Sequence, residues 1–194
     1  MEELVEGLKK AMFEDPVEDT RCVLHCEMKN EGFKTASKVQ YVARVGNFID
    51  NGADYTGALQ ILKVILSYDY LWQNVRVKGG AYGCMSGFSR TGEGYFVSYR
   101  DPNLERTMEV YEGIADYLRN FTVSDRDMNK YIIGTMSNID QPMTPSAKGD
   151  RSFNLYMNKV SAETIKKERL QILEAGQEDI RKLADVVEAV MKAE

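Results

Sequence analysis

Between Thr56 and Arg76 apolar residues return close to every 3.6 positions, at Leu59, Leu62, Ile65, Leu66, Trp72 and Val75, and two glycines, Gly79 and Gly80, then end the pattern. That period predicts one long amphipathic helix over 56–76, with Trp72 as a core anchor. A stripe of that length must be buried against a partner, and the flanking sequence supplies one. A-Y-G-C-M-S-G-F-S (81–89) and G-Y-F-V-S-Y-R (94–100) read as strands hinged at R-T-G-E-G in a hairpin. Upstream, R-C-V-L-H-C-E-M (21–28) and S-K-V-Q-Y-V-A-R-V (37–45) read as two more, joined by K-N-E-G-F-K-T.

Helices account for the remainder. Leu4, Val5, Leu8 and Met12 give residues 1–13 a helical stripe, and E-D-P-V-E-D-T breaks it. Asp101-Pro102 reads as an N-cap followed by proline in the first turn of a helix running to about Asn120. Ser124 and Asp127 form a capping-box-like start for another, and Q-P-M-T-P ends it. Further helices are expected over 145–160, 162–175 and 177–192, with Gly176 between the last two. Strands that cluster while helices gather toward one end predict an α+β domain: a mixed or antiparallel sheet with helices packed on one face. The expected organisation is a single domain over 1–194, with 1–20 as a leading helix and linker.

Charge and cysteine content exclude several functions. The net charge of -5 and the interleaving of bases with acids, as around Lys166 and Lys167, argue against a nucleic-acid partner or an anionic membrane surface. No apolar run reaches the ~20 residues that span a bilayer, and M-E-E-L-V-E does not open a targeting leader. Three cysteines, an odd number, suit a reducing compartment, so the cytoplasm or an organelle matrix is expected. Cys22 and Cys26 on one strand would stand roughly 13 Å apart, beyond disulfide reach. All three cysteines read as small buried or half-buried residues, and Cys84 has no local base. A metal site of the helical type needs two histidines and a carboxylate, whereas this chain has only His25. No metal is expected in it.

One stretch resists a purely structural reading. R-V-K-G-G-A-Y-G (76–83) sets a permanent cation, Arg76, and a phenol, Tyr82, on either side of a glycine turn. Arg76 at a helix C-terminus is favourable through the macrodipole, and Tyr82 suits a strand start. Those reasons suffice for a fold but leave the pairing unexplained.

N-E-G-F (30–33), V-Q-Y-V-A-R-V-G-N (39–47), Y-L-W-Q-N-V-R-V-K-G-G-A-Y-G (70–83) and S-Y-R-D-P-N-L (98–104) occur in an order that resembles the last quarter of the insulinase-like (pitrilysin, or inverzincin) zinc metallopeptidases. The presequence-protease branch is the most similar. The resemblance runs from about residue 21 to the C-terminal helices, and 70–83 is its most specific part. It implies a metallopeptidase half-domain of the insulinase-like or mitochondrial-processing-peptidase type, within a much longer chain whose two halves close around a peptide chamber. Zinc would then sit in the N-terminal half, on an H-x-x-E-H helix, with that half and a peptide substrate as the partners. No H-x-x-E-H occurs here, so the chain is expected to bind no zinc and to be inactive alone. The family's final domain commonly adds another strand after its last helices, so one sheet edge is expected to be unpaired.

The same resemblance gives the pair a role. Tyr82 would donate to the oxyanion of the reacting carbonyl, Arg76 would hold a substrate carbonyl, and Gly79 and Gly80 would let the peptide backbone approach. The competing reading is a non-catalytic half that only binds peptides or scaffolds an assembly.

Overall fold

Along Glu93–Asp101 (β3), Gly94, Phe96, Ser98 and Asp101 are buried, while Tyr95, Val97 and Tyr99 stay partly open. This is the period-two alternation of a strand with one face covered. The computed structural model describes Glu6, Gly7 and residues 36–192. The chain divides between Ala36 and Ser37, and the second unit is the one described below. Apart from Glu6 and Gly7, which are helical, the expected helix over 1–13 lies outside the described residues, as do the strand over 21–28, Cys22, His25 and Cys26.

β3 is the central strand of an antiparallel sheet. Gln40–Asn47 (β1) pairs on one side of it and Gly83–Phe88 (β2) on the other. The β2–β3 hairpin closes at Ser89–Gly92, where Ser89 N donates to Glu93 O at 2.9 Å and Gly92 adopts a φ of 97°. Between Gln40 and Val42 the register against β3 slips: Gln40 faces Asp101 and Val42 faces Ser98. Two steps on β1 thus match three on β3, which places one extra residue, a β-bulge, at Tyr99–Arg100.

The helices cover the face that carries Val42, Phe96 and Ser98. Ala58–Ile65 (α1) continues without a break into two π-helical turns, Leu66–Tyr70 and Trp72–Val77. The helix expected over 56–76 is therefore present, but its register is not α-helical throughout. Trp72 is the consequence. The i→i+5 bonds, such as Lys78 N to Gln73 O at 3.0 Å, widen the turn, so the buried positions become Leu66, Leu71 and Val75. Trp72 is 39% exposed and is not a core anchor.

A second correction concerns Asp101. It does not cap a helix: it ends β3, and the next helix, Glu105–Glu112 (α2), starts only after Leu104. An Asp-Pro pair signals a turn as well as a helix start, and here Asp101 Oδ1 accepts from Asn103 N at 2.9 Å. Gly113 then separates α2 from Ile114–Arg119 (α3). The other helix starts stand as expected. Ser124 Oγ accepts from Asp127 N at 3.2 Å at the head of Asp125–Ile139 (α4). Pro145–Met157 (α5) and Ala162–Leu173 (α6) follow, and Gly176 precedes Gln177–Met191 (α7). Ile180, Leu183, Val187 and Val190 of α7 complete the core against β1, α1 and α3. The domain is α+β, with its sheet antiparallel throughout the described residues.

Candidate functional site

The π-helical end fixes Arg76. Its guanidinium lies over the ring of Trp72, which the π-helical turns bring to the surface, 4.0 Å from the centroid. The helix then stops by doubling back. Gly80 N donates to Arg76 O at 2.9 Å and Ala81 N to Val75 O at 3.2 Å, each loop one residue wider than the usual glycine-terminated helix end. Gly80 takes a φ of 81°, a conformation that side chains with a Cβ rarely adopt, and is exposed. Gly79 is buried, and a Cβ there would stand 2.3 Å from Val75 O.

Tyr82 follows at once. Its amide donates to Tyr99 O at 3.2 Å, tying it to the end of the sheet. The side chain is 60% exposed, and its hydroxyl makes no hydrogen bond within the described residues. Its ring meets that of Tyr99 with centroids 5.4 Å apart, and the Arg100 guanidinium stands 5.5 Å from its centroid. Arg76, Gly80, Tyr82 and Arg100 line one shallow concavity of about 490 Å³. The structure thus brings Arg76 and Tyr82 together on an open surface. A cavity lined by Tyr55, Gln60, Arg90, Arg151 and Glu168 lies elsewhere and holds none of the expected site residues.

A buried carboxylate supports this turn. Asp101 is fully buried, and its charge is met by neutral donors: Ser98 Oγ at 2.6 Å, Thr107 Oγ1 at 2.8 Å and Asn103 N. Asn103 Nδ2 in turn donates to Gly79 O at 2.5 Å. The stretch S-Y-R-D-P-N-L therefore clamps the end of β3 to the glycine turn. Cys84 lies close by, free and half-buried. Burial pushes its thiol up, Asp101 adds to that, and the positive charge of Arg76 acts against it. A thiol so placed is a poor nucleophile at neutral pH.

Arg100 escaped the sequence reading. A strand period of two sends residues 99 and 100 to opposite faces, and nothing in the local sequence marks the extra residue. Only the pairing of β1 with β3 reveals it. Arg100 sits at a φ of 48°, unusual for a residue with a Cβ.

A family model described as the PreP C-terminal domain matches residues 30–194. The chain belongs to this family. It is 48% identical to the protein HypA of Clostridium perfringens over 164 residues, which are 84% of this chain and 17% of that one. It is 34% identical to presequence protease 1, chloroplastic/mitochondrial, of Arabidopsis thaliana, again over 84% of this chain and 15% of the relative. The chain thus spans about a sixth of the length of these relatives. Among solved structures, a protease from Helicobacter pylori superposes with a TM-score of 0.64 at 15% identity, covering 95% of this chain and 49% of that one. A structure from Bordetella pertussis Tohama I, described as a candidate zinc protease, gives 0.56 at 15% identity, covering 78% and 87%. At such identity the likeness is one of fold.

For this PreP C-terminal domain the described residues contain no group of three or more His, Cys, Asp or Glu that could hold a metal ion. Asp101, linked to the glycine turn through Asn103, has its oxygens occupied by hydrogen bonds, and burial raises the pKa of the Cys84 thiol. Among the described residues the donors do not fit a zinc site. Nor is any described helix long and apolar enough to cross a membrane.

Proposed function

We propose that this domain lends Arg76 and Tyr82 to a zinc metalloendopeptidase that hydrolyses short unstructured peptides inside a closed chamber. The observation that carries the reading is the shared open concavity: on either side of a helix-to-strand turn stand a guanidinium and a phenolic hydroxyl that, among the described residues, have no carboxylate partner and no hydrogen bond respectively. A purely structural half has no need to expose both.

The chemistry follows from the donors. As a peptide carbonyl is attacked, negative charge gathers on its oxygen, and the Tyr82 hydroxyl is free to donate to it. One such preorganised donor is typically worth about 10²–10³ in kcat. Arg76 offers planar donors that suit a backbone carbonyl and set the peptide's register. Gly80, without a Cβ, leaves room for an extended backbone to lie close. The zinc would sit in the N-terminal half of the intact protein, as in the family that the sequence resembles, and among the described residues no group of His, Cys, Asp and Glu could hold it here. Catalysis by Tyr82 therefore requires the two halves to close together.

In the full-length enzyme Tyr82→Phe should lower kcat on an unstructured peptide by about 10²-fold, with zinc content unchanged. A kcat within about twofold of the parent would sink the oxyanion role and favour a half that only holds peptides.

A further inference from the structure

We infer that Arg100 is a positioning residue for Tyr82: the bulge in β3 turns its guanidinium onto the phenol ring, which thereby meets both Arg100 and Tyr99 and has its hydroxyl fixed in direction. The inference rests on the catalytic reading of Tyr82 for its consequence, though not for its geometry.

In a regular strand, residues 99 and 100 project to opposite faces, so only one of them could touch a given ring. Here both do. The Tyr99 ring is 5.4 Å from that of Tyr82 and the Arg100 guanidinium 5.5 Å from it. The extra residue opposite β1 and the φ of 48° at Arg100 are what make this possible. Such a backbone is unfavourable for arginine, and a glycine would hold it without strain. Its surroundings enforce it. Ser98 and Asp101 bond to one another across the bulge, and Asp101 is pinned by Thr107 and Asn103. Arg100 has no carboxylate partner among the described residues, and its guanidinium meets the Tyr82 ring instead.

An exposed tyrosine otherwise samples several rotamers, and a donor that must meet a developing oxyanion loses effect with each unproductive one. A guanidinium over the ring restricts those rotamers while adding positive charge beside the site, an effect of the cation–π class.

The test compares Arg100→Gly and Arg100→Lys in the full-length enzyme, alone and with Tyr82→Phe. Arg100→Gly accepts the positive φ without strain, so its thermal midpoint should match or exceed the parent's by about 2–4 °C. Its kcat should fall about 10-fold with KM within about twofold, and Arg100→Lys should recover most of the loss. On the Tyr82→Phe background, Arg100→Gly should cost less than about twofold further, because its action runs through the lost hydroxyl. A loss confined to KM, or one that persists undiminished without the hydroxyl, would make Arg100 a direct substrate contact and overturn the inference. If Tyr82→Phe is itself harmless, the catalytic reading fails separately. A crystal structure of Arg100→Gly then decides the positioning claim: a displaced Tyr82 ring supports it, and an unmoved ring overturns it.

Discussion

The turn that carries Arg76 and Tyr82 and the helix α5 are opposites. Around the turn the backbone is irregular, with π-helical bonding, a φ of 81° at Gly80, a bulge and an arginine at positive φ, all set over a fully buried core at Leu71, Val75 and Asp101. In α5 the backbone is regular, Thr144 caps it by accepting from Ala147 N at 3.3 Å, and no residue of the helix is buried. Phe153, Tyr156 and Met157 lie open along it. Irregular geometry is tolerated where packing and hydrogen bonds over-determine it, whereas capping alone sustains a helix that rests on little else. The functional candidate lies in the first kind of region, where the shape of the backbone is enforced from below.

Substitutions that remove what lies beneath each region should break or sharpen this contrast. The largest effect is expected for Asp101→Ala, which strands the Ser98 and Thr107 hydroxyls in the interior and leaves the half-buried Asn103 amide without its acceptor. Urea unfolding should show a loss of about 3 kcal/mol, and the Gly79 turn should lose protection from hydrogen exchange. A loss below about 1 kcal/mol would mean that water replaces the carboxylate and that the clamp is not structural. Next comes Gly79→Ala, whose Cβ would meet the Val75 carbonyl at 2.3 Å. A cost of about 1–3 kcal/mol is expected, since the obstacle is backbone and cannot swing aside.

Thr144→Ala removes a cap worth about 1 kcal/mol, but the loss should be local. Amide exchange over 145–157 should quicken while the global unfolding midpoint moves by less than a few tenths of a kcal/mol. A full 1 kcal/mol in the global transition would show that α5 is more strongly coupled to the core than its burial suggests. Smallest is Tyr156→Ser, at a residue 79% exposed: a stability change within about 0.5 kcal/mol is expected by the same unfolding assay.

Much of the scaffold could be read from local rules. The helix starts at Ser124 and at about residue 145, the break at Q-P-M-T-P and a hairpin around R-T-G-E-G each depend on a few neighbouring residues, and each stands within a residue or two of where patterning puts it. The sequence also singles out Arg76, Gly79, Gly80 and Tyr82; Arg76, Gly80 and Tyr82 line one concavity while Gly79 is buried, and their roles are those proposed above. Trp72 and Asp101 were misread for a shared reason. A 3.6-residue period assumes α-helical winding, and an Asp-Pro pair is equally compatible with a cap and a turn. Which alternative holds depends on contacts distant in sequence, such as Thr107 and Asn103 for Asp101.

By itself, then, the sequence determined the long helix, the hairpin and most helix starts among the described residues, and that a cation and a phenol flank a glycine turn, because propensity, capping and hydrophobic period act over a handful of residues. The tertiary structure alone decided that Trp72 would come to the surface beneath Arg76, that a carboxylate could remain buried among neutral donors, and that Arg100 would share a face with its neighbour. Those outcomes depend on strand register and on the widening of a helical turn, and both are set by what packs across the fold rather than by what adjoins along the chain.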